Sequence, residues 1–568
     1  MRQDVAAKVN AGLIKAPTQE QWEMILTDHP ATCVSAGAGS GKSTTLVLRV
    51  VYMLEYLNIP DQDITVISFT ANSCDELRSK LIKIMSFWRP NVSEQEWKAW
   101  SKEKVRTFHS LLHRMAQSEL PGRSFFELIK KGEADQFLED TASGDIENPA
   151  SGSRLNEVQV TLLAEAYRSL FCSDADFRQA ILELLRMELA SKPHGGSEPI
   201  KPGLVYYSAE RDADVIKRSN QTWMGNGWPF EGIVEESIEL ANLSGGKKFL
   251  SNGVHQSTRK PVVLGFAPGL KKAEKDRAVG VGKAKTAFAA ALAARTRILA
   301  NHAQKDYIYI KDEAALETYL IWDKYVAQSE GDPQKSYVPM FKVKLDGEIK
   351  PILIYESLFA QGSFVETLGM DVVALLRKMP APQRIDATVH FYRALGRYWP
   401  HLNEFLRSKK LHTFNRAFLM LSRSSQLSKL STSAPSAMRH LLVDEFQDIS
   451  PLIVSWLKSA QRTLLEQDQV AGVSIMAIGD DWQSIYGWRG SSPQLFIDFN
   501  RHFPVHTSLC STNPLLFREN FRSVSAIVVD AARLIDRVQK KVTKECISKI
   551  KTQAGDHGVK LMTYGDAE

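Results

Sequence analysis

The chain has 568 residues, 44% hydrophobic and 24% charged, with 71 Lys and Arg against 65 Asp and Glu for a formal net charge of +6. That is the balance of an ordinary soluble globular chain long enough for several domains, and its slight basic excess permits a polyanionic partner without requiring one. Five cysteines (Cys33, Cys74, Cys172, Cys510 and Cys546), with no Cys-x-x-Cys spacing, exclude a zinc cage or disulfide framework and suit a reducing cytoplasm.

Residues 1–21, MRQDVAAKVNAGLIKAPTQEQ, lack the apolar core of a signal peptide. Residues 31–35 (ATCVS) are a short apolar run, and 43–57 (STTLVLRVVYMLEYL) carry apolar residues at helical spacing. Between them lies a glycine-rich loop, so the order is strand, loop, helix. Gly37, Gly39 and Gly41 let the backbone turn its N–H groups toward phosphate oxygens, and the helix start adds partial positive charge. The expected cradle is Ala36, Gly37, Ala38, Gly39, Ser40, Gly41, Lys42, Ser43 and Thr44. Lys42 would reach the β- and γ-phosphates of a nucleotide, and the Ser43 hydroxyl would ligate Mg²⁺. Ala36 stands where glycine is commoner. Next, 64–70 (ITVISFT) reads as a buried parallel strand and 71–85 (ANSCDELRSKLIKIM) as a helix.

From about 117 to 410 no strong motif occurs, and the stretch reads as a large insertion between strands of the first domain. Residues 259–297 hold ten Lys or Arg against Glu274 and Asp276, which suits either a DNA backbone or a solvated helix face. VGVGK at 279–283 reads as a turn, and AFAAALAA at 287–294 is too short to span a bilayer. KVKLDGEIKPILIYE at 342–356 reads as a hairpin with an Asp-Gly turn. Its Glu348 and Lys350 have the Glu-x-Lys spacing of some Mg²⁺ nucleases, but Asp346 is too close to be the upstream acid. Residues 421–437 are a Ser-rich loop or linker.

Two further apolar strands, 440–446 (HLLVDEF) and 474–481 (SIMAIGDD), end in acids. Asp444 is placed to hold Mg²⁺ through water, and Glu445 to act as general base for attacking water. Gln483, just past a strand end, is placed to sense the γ-phosphate. Trp488 and Arg489 either stack on an exposed base and its phosphate or are a core Trp with a solvated Arg. Strands alternating with helices predict an α/β fold with a doubly wound parallel sheet.

Taken in order, PTQEQ (17–21), the phosphate loop, SFTANSCDEL (68–77), RTFHSLL (106–112), VDEFQDIS (443–450), GDDWQSIYGWRG (479–490) and RENFRS (518–523) resemble the motifs of UvrD/Rep-like superfamily 1 DNA helicases. The wording of 443–450 and 479–490 is most similar to that of the DNA helicase IV branch. The resemblance implies a RecA-like P-loop NTPase sheet that binds ATP and Mg²⁺ and moves 3′ to 5′ along single-stranded or partly duplex DNA, with repair or recombination as the setting. It implies that Gln21 reads adenine, that Phe521 stacks on it and that Arg522 contacts the γ-phosphate. It also implies DNA contacts at Phe69, Thr70, Phe108, His109, Tyr486, Trp488 and Arg489. The departure at Ala71, Asn72, Ser73 and Cys74 weakens the contact expected near Thr70.

The implied domains are 1–116 and 411–514 for the first motor domain (1A), 117–410 for a mostly helical 1B-like insertion longer than usual, and 515–568 for the start of a second motor domain (2A). The family's later motifs do not occur between Ser523 and Glu568, and roughly 50 residues cannot bury the core of a RecA-like domain. The C-terminal VKLMTYGDAE reads as that domain's first strand, and the chain reads as truncated. Two functions stay open: an ATP-dependent 3′–5′ DNA helicase or translocase, and a non-catalytic ATP- and DNA-binding module that a second chain completes. Both are expected in the cytoplasm, away from membranes.

Overall fold

Short apolar runs separated by helices can pair in parallel, because each helix provides the crossover that parallel neighbours need. The computed structural model describes residues 1–119, 124–129, 155–189, 209–221, 228, 230–243, 247–266, 283–328, 337–343, 351–380, 386–423, 436–467, 472–505 and 512–551. It divides into two units, one of Met1–Val160, Gln361–Leu375 and Asn403–Glu568, the other of Thr161–Ala360 and Leu376–Leu402.

The first unit contains, in chain order, α1 (Gln19–Leu26), β1 (Ala31–Ala36), α2 (Lys42–Glu55), β2 (Ile64–Ser68), α3 (Ala71–Met85), β3 (Val105–Thr107), α4 (Phe108–Glu119), β4 (His440–Val443), α5 (Pro451–Gln467), β5 (Ser474–Gly479) and β6 (Asn513–Phe517). The six strands form one sheet in the order β6-β1-β5-β4-β2-β3, parallel throughout. This is the expected α/β fold, and β4 and β5 from the far end of the sequence sit between β1 and β2.

Alternation along the strands divides the core between the two faces. Val34, Leu442, Met476 and Ile478 pack with Leu46, Val47 and Val50 of α2 and Leu77 and Leu81 of α3. Ala31, Leu441, Val443, Ile475 and Ala477 pack on the other face with Leu112 of α4, Phe418, and Trp456 of α5. Threonines set two helix starts: Thr70 Oγ1 accepts from the Ser73 amide at 3.1 Å, and Thr107 Oγ1 from the Ser110 amide at 3.1 Å.

Past β6 come β7 (Glu519–Asn520), α6 (Ser525–Ile535) and β8 (Ile547–Ser548), with β7 and β8 paired in parallel.

The second unit has a four-stranded sheet in the order Ile308–Ile310, Pro261–Leu264, Gly253–His255, Ile233–Val234. Helix Lys283–His302 packs on one face through Ile298 and Leu299, and helix Glu313–Gln328 on the other through Leu316 and Tyr319. Much of the described basic stretch is committed within this unit. Arg295 is fully buried against Asp212 at 2.7 Å, Arg259 pairs with Glu236 at 2.7 Å and Lys260 with Asp306 at 2.8 Å. The expected hairpin pairs Lys342–Val343 with Ile352–Leu353, but the chain turns helical at Ile354. Residues 267–282, Glu348 with Lys350, the Ser-rich 424–435 and the C-terminal VKLMTYGDAE lie outside the described residues. Among the described residues no single helix is long and apolar enough to cross a membrane.

Candidate nucleotide and nucleic-acid site

The strand ends lie level, with Ser35 opposite Gly479, and Val443 opposite both Ala477 and Ile67. The loops that follow β1, β4 and β5 therefore emerge together at the carboxyl edge, where ligands bind in open α/β sheets. Gly39 and Gly41 have φ of 71° and 83°, a region costly for residues with a Cβ. A Cβ on Gly41 would lie 2.8 Å from Gln21 Nε2. The Gln21 amide donates to the Ser40 carbonyl at 2.9 Å, while its Oε1 accepts from the Thr18 amide at 3.0 Å. Gln21 thus braces the loop as well as capping α1.

Lys42 opens α2, and its Nζ lies 3.8 Å from Glu445 Oε2. Asp444 is 5% exposed, and its amide donates to the Ile67 carbonyl at 2.8 Å. Burial, reinforced by the Glu445 charge and opposed by Lys42, raises its pKa to about 6. Glu445 has φ of 53°, an observed strain for a non-glycine residue of the kind that clusters at functional sites. Its Oε2 accepts from Gln447 Nε2 at 2.7 Å. Gln447 Oε1 in turn accepts from the Asp480 amide at 2.9 Å, and Asp480 Oδ2 from Gln483 Nε2 at 2.5 Å. A hydrogen-bonded chain thus runs from Glu445, which is ion-paired with Lys42, to Gln483. Asp448 beside it has its pKa raised to about 7 by burial and then by the Glu445 charge.

The fit to Mg²⁺ rests on the donors present. Mg²⁺ is usually held by one or two carboxylates plus substrate phosphates. A buried carboxylate at a strand end and the Ser43 hydroxyl at the start of α2 supply such a set.

The 518–523 segment lies on the loop. Asn520 Nδ2 donates to the Ala38 carbonyl at 2.8 Å, and the Phe521 amide to the Gly39 carbonyl at 2.9 Å. Asn520 Oδ1 also accepts from the amides of Arg522 and Ser523, both at 2.8 Å. The Phe521 ring is 42% exposed.

In the loop past Gln483, Tyr486 stacks on Phe69 at 5.4 Å. The Arg489 guanidinium lies 4.5 Å from the Tyr486 ring and 4.4 Å from that of Trp488. Trp488 is 60% exposed, so it is not a core residue. Phe108 and His109 are buried, and the His109 ring stands edge-on to Phe414 and Phe418. Thr70 serves as the cap of α3.

Burial lowers the His109 pKa from 6.5 to about 3, so the folded protein holds it neutral. The unfolded chain takes up that proton near pH 6.5 and the folded chain does not. Stability should therefore fall as pH drops below 6.5, by about 1.4 kcal/mol per pH unit well below it. In urea melts, His109→Asn should flatten the profile between pH 7 and 5. An unchanged slope would contradict a buried neutral imidazole.

Gln447 and Asn520 connect the site together with Asp480, yet the sequence did not single out these two. Their only signal was a polar residue beside a motif acid or arginine.

Known proteins resemble this chain in sequence. The sequence model of the UvrD/REP helicase N-terminal domain matches residues 17–192 and 297–504, well over half the chain. A probable DNA helicase of Mycoplasma pneumoniae is 29% identical over 127 residues, 22% of this chain and 21% of that protein. DNA helicase II of Escherichia coli is 33% identical over 106 residues, 19% of this chain and 13% of that protein. DNA helicase IV of Escherichia coli is 38% identical over 68 residues, 12% of this chain and 9% of that protein. The matched stretches thus span about a fifth or less of these relatives' lengths.

Proposed function

The chain belongs to the UvrD/REP helicase family, and on that premise we propose that it is an ATP-driven motor that moves 3′ to 5′ along single-stranded DNA and parts duplex ahead of it. The carrying observation is the hydrogen-bonded chain from Glu445, the ion-pair partner of Lys42, through Gln447 to Asp480 and Gln483, on the loop that ends in Tyr486, Trp488 and Arg489. One short segment would then sense nucleotide at one end and nucleic acid at the other.

ATP phosphates would sit on the 37–43 loop, where the α2 N-terminus and Lys42 attract negative charge. They compete with Glu445 for Lys42, and the freed carboxylate can accept a proton from water. Mg²⁺, held by Ser43 and Asp444, would neutralise charge on the phosphates. Gln483 would touch the γ-phosphate, with Arg522 contributing from the 518–523 segment. Gln21 and Phe521 would hold adenine. Phe69, Tyr486, Trp488 and Arg489 would hold bases, with Thr70 and the α4 start (Phe108, His109) supporting that surface. Residues 117–410 would be the inserted accessory domain, and the setting would be cytoplasmic DNA repair or recombination.

Trp488→Ala should weaken single-stranded DNA binding roughly 5- to 150-fold, the range for losing about 1–3 kcal/mol of stacking. Its exposure predicts an unchanged thermal midpoint. Fluorescence anisotropy with labelled oligothymidylate checks this, and wild-type affinity in the variant would remove Trp488 from the DNA surface.

Strand separation tests the motor itself. With ATP, the chain should displace a strand from a duplex carrying a 3′ single-stranded tail and not from one carrying a 5′ tail. Displacement only from the 5′ tail would overturn the direction. Nucleotide and DNA binding without displacement or turnover would favour the binding module that a partner chain completes.

A further inference from the structure

The residues after α6 return to the site. The Lys544 side chain is fully buried and ion-pairs with two carboxylates at once, Asp480 Oδ1 and, at 3.0 Å, Asp481 Oδ1. Its ammonium also lies 4.8 Å from the Trp482 ring. Around it, the Val542 amide donates to Asp481 Oδ2 at 2.7 Å and Trp482 Nε1 to the Val542 carbonyl at 3.3 Å. Two residues on, Cys546 Sγ lies 3.0 Å from where a Cβ on Gly37 would stand, so the segment touches the phosphate loop as well. It is fastened to 518–520 by Ile547 and Lys549 amides donating to the carbonyls of Arg518 and Asn520 at 2.7 and 2.8 Å.

Asp480 is the junction. One of its carboxylate oxygens faces Lys544 and the other accepts from Gln483. A lone carboxylate here would be buried beside a second acid, and such groups need a paired cation to stay ionised and in place. We propose that Lys544 is a positioning residue for the γ-phosphate site. By fixing Asp480 it fixes Gln483, and it ties recognition of the third phosphate to docking of the 541–549 segment. This rests on the nucleotide-site reading above and adds a control to it: when the segment lifts away, Asp480 loses its cation and Gln483 its anchor.

The test is calorimetric binding of ADP and of the non-hydrolysable analogue β,γ-imido-ATP, with Mg²⁺, to the full chain. Lys544→Met should leave ADP affinity within about twofold and cut the analogue-to-ADP affinity ratio by about tenfold, a loss specific to the third phosphate. Lys544→Arg should restore the ratio. Gln483→Ala should show the same loss, and the double variant no more than either alone, because residues acting as one unit are not additive. Should Lys544→Met fail to fold, Lys544→Gln compared with Lys544→Arg carries the same contrast. An unchanged ratio in the uncharged variants, or equal loss for both nucleotides, overturns the proposal while the nucleotide site stands. A wild-type chain that binds neither nucleotide overturns the site reading and this proposal together.

Discussion

Lys42→Ala should lower ATP hydrolysis by about 10²–10³-fold or more, the scale for removing a preorganised charge aimed at the transition state. Lys42 is the first residue of α2, and its ammonium points at Glu445 across 3.8 Å. Lys42 brings a full positive charge to Glu445, whereas the loop's glycines supply only backbone dipoles. Those dipoles and the helix start remain in the variant, so nucleotide affinity should fall less than turnover does. Folding should barely change, because the Lys42–Glu445 pair is long and Glu445 is 30% exposed, and such pairs contribute about 0–1 kcal/mol. Steady-state turnover, nucleotide titration and a thermal melt separate the three quantities. Normal turnover in Lys42→Ala would remove the loop from the chemistry.

Glu445→Gln should have an effect of similar size through a different step. General base catalysis contributes about 10²–10⁴-fold, and the amide cannot take the proton. It can still accept from Gln447, so the chain to Gln483 should persist. Nucleotide should bind normally and remain uncleaved, visible as retained ATP in rapid filtration. Removing the charge also removes one cause of the raised Asp444 pKa, which should move back toward ordinary carboxylates. Fast hydrolysis in this variant would give the base role to another group. The contrast is diagnostic: Lys42→Ala weakens binding and turnover, whereas Glu445→Gln spares binding.

The parts legible in the sequence were those with local signals. The apolar run before the glycine loop, the helical spacing after it and the strands ending in Asp444 and Asp480 all announce a parallel sheet with its site at one edge. Local pattern could not say how side chains are shared. Gln21 caps α1 and braces Ser40, while Thr70 and Thr107 cap helices, jobs set by the fold around them. His109 sits in the aromatic core because α4 turns that face toward Phe414. Lys544 pairs with acids more than sixty residues away, a contact no periodicity encodes. Within the basic stretch, Arg295 is balanced by Asp212 from a distant helix, a pairing that composition alone does not encode.

The most direct measurement is steady-state ATP hydrolysis by the full chain, with and without single-stranded DNA. Coupling of the Lys42–Glu445 site to the Tyr486–Trp488 surface predicts a rate that rises with DNA, and a rise that Trp488→Ala blunts. A rate that DNA leaves unchanged would contradict that coupling and leave two unconnected sites on one sheet edge.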